Sequence, residues 1–277
     1  MARARKKGFP GQIQKERIHP QQDHHEQVHR ERGVAVVTGG AGNIGTVICN
    51  ALAREGMCVV VGYNRSAEKA TALAARLPGE GHAALAAPVT DSAALGALAA
   101  EMARRYGFCD VLVNCAGVTR FVPHGDLEGL DDGLIDNILS TNVRGPFAAV
   151  RALRPLLEKS KQPGGAVIVN ISSIAALTAM GSNVIYCASK AAVDNMTKSL
   201  GRALAPRIRV VSIAPGVVDN DFIRSMDQRW LKEQVARTPL KRLAAPDEVA
   251  SAVVAAIKHL TFTTGSIIPV DGGRPLS

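Results

Sequence analysis

The chain has 277 residues, 47% of them hydrophobic, which is enough for one sizeable core and short for two domains of ordinary size. Its net charge is +9, but the first 32 residues hold eight Lys/Arg against four acidic residues and so account for +4, leaving +5 on the rest, too thin a surplus to specify a nucleic-acid partner. No apolar run reaches the ~18 residues that cross a bilayer, so no membrane partner is expected.

Residues 1–32 are rich in Gln, His, Arg and Lys and lack an apolar period, so they are expected to be a disordered basic extension. They contain no apolar core of a secretory signal, and their acidic residues argue against an organellar transit peptide. Their histidines lack zinc-site spacing with cysteines, and no metal is expected. The five cysteines, at 49, 58, 109, 115 and 187, stand in apolar or small-residue contexts and read as reduced thiols of a cytoplasmic protein. From residue 33 to 277, apolar runs of strand length alternate with Ala/Leu-rich stretches of helical length. That alternation predicts one α/β domain, a doubly wound parallel sheet with helices on both faces.

The first predicted strand, Val34 to Thr38, runs into Gly39-Gly-Ala-Gly-Asn-Ile-Gly45 and then a helix closed by Gly56, with Met57 opening the next strand. Glycines let a backbone approach a pyrophosphate, and the free N–H groups of a helix start supply donors and a positive dipole end. Thr38-Gly-x-x-x-Asn-Ile-Gly45 resembles the Thr-Gly-x-x-x-Gly-x-Gly turn of the short-chain dehydrogenase/reductase family. Asn43 replaces the middle glycine, a mild departure if the position is left-handed, which Asn tolerates. The resemblance covers residues 33 to 273 and implies a seven-stranded Rossmann sheet. It also implies contacts to the dinucleotide cofactor at Gly39, Asn43, Ile44 and Gly45.

The second strand ends in Asn64-Arg65-Ser66 with no carboxylate for ribose hydroxyls. A guanidinium and a hydroxyl there are similar to the family's NADP-using members, so NADP(H) is the expected cofactor; Ser66 as a plain helix cap is the alternative. Pro88-Val89-Thr90-Asp91 is expected to end the third strand, with only the backbone of Val89 available to adenine and Asp91 as a helix cap. Asn114-Cys115-Ala116-Gly117 resembles the family's Asn-Asn-Ala-Gly element, in which Asn114, Ala116 and Gly117 border the cofactor. Cys115 reads as structural.

Asn142 matches a family position where a carbonyl freed from its helical bond holds a proton-relay water. Ser173 precedes Tyr186 by thirteen residues, the family's spacing for the serine that holds the substrate oxygen, with Ser172 as the adjacent alternative. Tyr186 and Lys190 are four apart and share a helix face, where the ammonium together with an oxidised nicotinamide is expected to favour phenolate, and in the reductive direction Tyr186 is expected to give its proton to the carbonyl oxygen. Together Asn142, Ser173, Tyr186 and Lys190 are the implied catalytic set, with Tyr186 and Lys190 also touching the cofactor.

Beyond the sixth strand, Pro215, Gly216 and Val218 are similar to the family's turn beside the nicotinamide carboxamide, with Asn220 where Thr is usual. Phe222, Met226 and Trp230 stand on the segment that the resemblance makes a lid over substrate, alongside Ser173 and Tyr186; for Trp230, packing on its own core is the other reading. The nearest likeness within the family is to 3-oxoacyl-[acyl-carrier-protein] reductases. It implies a carbonyl or acyl thioester substrate and a homotetramer, or a homodimer. Another carbonyl substrate, or a non-catalytic NADP(H) sensor, remains open.

Overall fold

The computed structural model describes residues 32–276, except for the side chain of Phe222. The expected basic extension falls almost wholly outside them. The elements in chain order are β1 (Val34–Thr38), α1 (Asn43–Arg54), β2 (Cys58–Tyr63), α2 (Ala67–Arg76), β3 (Ala83–Ala86), α3 (Ser92–Arg105), β4 (Val111–Asn114) and α4 (Asp132–Leu139). A π-helical turn, Ser140–Arg144, then leads into α5 (Gly145–Leu157), β5 (Ala166–Ile171), α6 (Ala175–Thr178) and α7 (Val184–Leu204). After these come β6 (Ile208–Pro215), α8 (Asp221–Arg224), α9 (Gln228–Arg237), α10 (Pro246–Lys258) and β7 (Ile267–Val270).

The seven strands form one parallel sheet in the order β3-β2-β1-β4-β5-β6-β7. Alternate side chains of each strand face opposite layers, and both are apolar because helices cover both faces. Ala35 and Val37 pack with Ile48 and Leu52 of α1, Leu73 of α2 and Val253 of α10. Val34 and Val36 pack with Leu95 and Met102 of α3 and Leu153 and Leu157 of α5, with Leu200 and Leu204 of α7 against the same layer.

β3 ends at Ala86, earlier than its predicted end at residues 88–91. Pro88 has no N–H to give a ladder, and Asp91 is already the N-cap of α3, accepting from the N–H groups of Ala93 and Ala94 at 2.9 and 3.0 Å. β2 likewise starts at Cys58, after Met57, because Gly56 sits at φ 81° and Met57 completes the helix exit through its bond to Leu52 O.

The strand order reverses between β1 and β4, so the connections leaving these two strands depart in opposite directions and open a crevice at their carboxyl ends. There Thr38 Oγ1 accepts from the N–H groups of Cys115 and Ala116 at 3.1 and 3.2 Å, tying the glycine turn to the loop after β4.

Candidate active site

The turn after β1 is built to be crowded. Gly39 is left-handed at φ 65°, and a Cβ there would lie 2.9 Å from Ala116 Cα. A Cβ on Gly45 would lie 2.2 Å from Gly39 O, so a side chain at 45 would break the turn. Asn43 is the first residue of α1 with Gly42 as N-cap, so the left-handed position is Gly39 and the conformational tolerance expected of Asn43 is not needed. No side chain caps α1 and no acidic residue lies in its first turn, so the N–H groups of Asn43, Ile44 and Gly45 face the crevice without a helical acceptor. These donors and the tight glycine cradle fit a dinucleotide pyrophosphate.

At the end of β2, Asn64, Arg65 and Ser66 are exposed, and Gly40 N–H donates to Gly62 O at 2.9 Å, which draws this end of β2 against the glycine turn. Ser66 is the N-cap of α2, yet its hydroxyl makes no capping bond. Val89 is turned inward beside Gly145, and Val218 is buried in the core layer, so the side chains of both face away from the crevice and leave only backbone to it. Asn114 is also turned inward: its Nδ2 donates to Asn170 Oδ1 at 2.9 Å, and Asn170 Nδ2 donates to Thr197 Oγ1 at 2.8 Å. Asn114 Oδ1 is buried without a partner. Pro215 and Gly216 sit where Pro215 O accepts from Ile174 N–H and Gly216 N–H donates to Val270 O, locking the end of β6 between its neighbours. Asn220 accepts from Ile223 N–H at 3.0 Å as the cap of α8, which occupies the side-chain oxygen that sequence left for a carboxamide.

Asn142, Ser173, Tyr186 and Lys190 converge at the carboxyl edge of β4 and β5. Tyr186 opens the first turn of α7, whose N-cap Asn183 accepts from Tyr186 N–H at 2.6 Å and donates to Arg120 O at 2.8 Å. Ser173 hydrogen-bonds the Tyr186 hydroxyl, whereas Ser172 is buried and donates to Lys190 O at 3.4 Å. Successive residues at a strand end face opposite ways, which separates the two serines. Lys190 Nζ donates to Ile171 O at 2.8 Å and lies 5.6 Å from the Tyr186 ring centre. Asn142 stands in the π-helical turn, accepts from Val118 N–H at 2.8 Å and donates to Ser189 Oγ at 3.2 Å. Ser189 donates in turn to Tyr186 O. A Cβ on Gly117 would lie 3.5 Å from Asn142 Oδ1 and 3.8 Å from Lys190 Nζ, so Gly117 leaves space between the two.

Burial governs the protonation of this group. It raises the Tyr186 phenol, with the Ser173 hydrogen bond opposing. Lys190 points to Ile171 O, and burial brings its own pKa down to about 8, against the opposing influence of Cys115 and Asp194. Burial also holds the Cys115 thiol up to about 12, as expected of a structural cysteine.

Two contributors escaped the sequence: Asn183, signalled only by an Asn three residues before Tyr186, and Asp194, four residues after Lys190, which accepts from Ser212 Oγ at 3.2 Å. Met226 and Trp230 are half-buried on a segment where α9 has no buried residue, so Trp230 is not a core side chain. Phe222 is outside the described side chains. A cavity of about 260 Å³ lined by His124, Ala176 and Cys187 opens elsewhere along α7 and includes none of the four converging residues.

A doubly wound sheet with a glycine cradle at its switch point and a Ser/Tyr/Lys/Asn cluster beside it defines a nicotinamide-dependent oxidoreductase. A family model described as enoyl-(acyl carrier protein) reductase matches residues 39–274. The 3-oxoacyl-[acyl-carrier-protein] reductase FabG of Staphylococcus aureus is 33% identical over 243 residues, covering 86% of this chain and 96% of that protein. The cis-4-hydroxycyclohexanecarboxylate dehydrogenase of Sinomonas cyclohexanicum is 36% identical over 245 residues, covering 87% and 95%. A crystal structure from Burkholderia xenovorans, described as a short-chain dehydrogenase/reductase, superposes with a TM-score of 0.82 at 33% identity, covering 89% of this chain and 99% of that one. The chain belongs to the short-chain dehydrogenase/reductase family, whose members are oxidoreductases that use a nicotinamide dinucleotide. Among the described residues, no helix is long and apolar enough to cross a membrane.

Proposed function

We propose that the protein is an NADP(H)-dependent reductase of carbonyl compounds, with 3-oxoacyl thioesters as its substrate class. The observation that carries the reductive direction is Tyr186, half-buried beside Ser173: desolvation raises its phenol, so that it is protonated at neutral pH and ready to act as an acid. A bound nicotinamide supplies the hydride. Tyr186 gives its proton to the carbonyl oxygen, while the Ser173 hydroxyl donates to the same oxygen and holds its developing charge. Lys190 restores the proton through a water held at the π-helical turn around Asn142, and Asn183 fixes the start of α7 so that Tyr186 and Ser173 stay in register.

The choice of NADP(H) is supported by Asn64, Arg65 and Ser66: no carboxylate stands among these three to repel a 2′-phosphate, and Arg65 and the uncapped Ser66 hydroxyl are exposed to receive it. Acyl thioesters are supported by the likeness to the staphylococcal reductase. The comparable likeness to a hydroxycyclohexanecarboxylate dehydrogenase favours a second reading, the oxidation of a cyclic alcohol. Assembly as a homotetramer or homodimer is supported by exposed Phe147 on α5 and Leu177 on α6, which leave apolar surface for a second copy and are open to test by light scattering.

The test is to follow loss of NADPH, then of NADH, with a 3-oxoacyl thioester, and gain of either with cyclic alcohols. Turnover of the thioester with NADPH is expected. Tyr186→Phe should lower kcat by roughly 10²–10⁴-fold with nucleotide binding intact. Faster turnover with NADH would remove the role given to Arg65, and activity confined to alcohols would favour the second reading.

A further inference from the structure

Between the start of α1 and the segment carrying α8 lies a cavity of about 310 Å³. Gly42, Asn43 and Thr46 form one wall, and Asp219, Asp221 and Arg224 stand on the other. The first wall attracts an anion, through uncapped N–H groups and the positive end of α1. The second carries two carboxylates, which repel one. Arg224 is the only cation among the described residues lining this space. Its Nε and Nη2 hold Asp219 Oδ1 and Oδ2 at 2.7 and 3.0 Å, and this grip lowers the Asp219 carboxyl from its usual range. A guanidinium has five N–H groups, so one that grips a carboxylate through two keeps three for a second anion.

We propose that Arg224 is a pyrophosphate-binding residue of this chain, bridging Asp219 to the dinucleotide across the cavity and masking the carboxylate that would otherwise repel it. The inference rests on the dinucleotide site proposed above. It differs from the role of Arg65, because a pyrophosphate contact acts on NADH and NADPH alike whereas a 2′-phosphate contact acts on NADPH alone.

The experiment is isothermal titration of the full-length protein with NADPH and with NADH, at low and high salt, for the wild type, Arg224→Ala, Asp219→Asn, the double variant and Arg65→Ala. Arg224→Ala should weaken both nucleotides by about tenfold. The uncovered carboxylate should make that loss shrink as salt rises, because the repulsion is screened. Asp219→Asn should bind at least as well as the wild type, and adding it to Arg224→Ala should recover part of the loss. A purely structural ion pair that merely holds α8 predicts the reverse: equal losses for Arg224→Ala and Asp219→Asn, and no recovery in the double variant. That pattern, or an Arg224→Ala affinity within about twofold of wild type, overturns the proposal. A wild-type protein that binds neither nucleotide overturns the dinucleotide reading and the role of Arg224 with it. Loss on Arg65→Ala alone would leave that reading standing and remove Arg224 from it.

Discussion

Replacing Lys190 by Met should make the protein more stable while destroying its activity. Burial brings the Lys190 ammonium from 10.5 down to about 8. Each pKa unit is ~1.4 kcal/mol, so holding that cation in the native state costs on the order of 3 kcal/mol at neutral pH. Methionine fills a similar volume without charge and forfeits the bond to Ile171 O, which returns roughly 1–2 kcal/mol of the gain. Asp194 is not orphaned by the change, because Ser212 still donates to it. The net gain is about 1–2 kcal/mol, a Tm roughly 2–4 °C higher for a chain of this size.

The sign of the pH dependence follows from which state holds the proton. Below about 8 the native and unfolded chains both carry it, so the whole cost is present at pH 7. Between about 8 and 10.5 the unfolded chain binds more protons than the native one, and stability rises with pH as the cost fades. Urea unfolding of wild type and Lys190→Met, without nucleotide, should show the variant ahead near pH 7 and its lead gone near pH 10. A variant less stable than wild type by the same amount at both pH values would refute the reasoning.

Arg209→Met should cost about 2–4 kcal/mol, read as a lower urea midpoint at unchanged m, because its guanidinium donates to the carbonyls of Ala256, Ile257, Leu260 and Thr263 where α10 ends. Gly45→Ala should weaken nucleotide binding at least about tenfold in titration calorimetry with the far-ultraviolet spectrum retained, since the new Cβ meets Gly39 O at 2.2 Å within the turn. Asn183→Ala should lower stability by roughly 1–3 kcal/mol and kcat as well, with nucleotide affinity little changed, because it removes the cap of α7 and the bond to Arg120 O.

Much of the fold was legible because its information is local. Runs such as Val34 to Val37 and Val167 to Val169 are β-branched and bounded by turns, and the Tyr186–Lys190 spacing places both on one helix face whatever surrounds them. The third strand was read less well because Ala83–Ala86 has no β-branched residue and owes its strand conformation to pairing with β2. The inward turn of Asn114 depends on β4 and β5 being in register, Asn114 opposite Asn170, and nothing local encodes it. Arg209 caps a helix some fifty residues further along the chain, a pairing visible only once β6 and α10 are packed. The surroundings of Tyr186 are likewise not local: spacing shows that a cation is near, but only packing shows that desolvation raises the phenol in the protein without nucleotide and that the ammonium is directed to Ile171 O.

The buried polar groups divide by purpose once their partners are known. Asp110 accepts from Val34 N–H and Ser160 Oγ, and with Arg209 it sits away from the crevice, where each closes backbone ends that would otherwise be unsatisfied. Asn142, Asn183, Ser189 and Lys190 are buried too, yet they gather around Tyr186: Asn142 donates to Ser189, Ser189 donates to Tyr186 O, Asn183 accepts from Tyr186 N–H, and Lys190 Nζ lies 5.6 Å from its ring centre beside the space that Gly117 leaves open. A fold seeking stability alone would fill such positions with apolar side chains, which cost nothing to desolvate. Keeping a phenol protonated beside a lysine whose pKa is brought down to about 8 instead creates a proton donor next to a group able to recharge it. That is the arrangement carbonyl reduction needs, and the stability gained by Lys190→Met measures what the native chain forgoes to keep it.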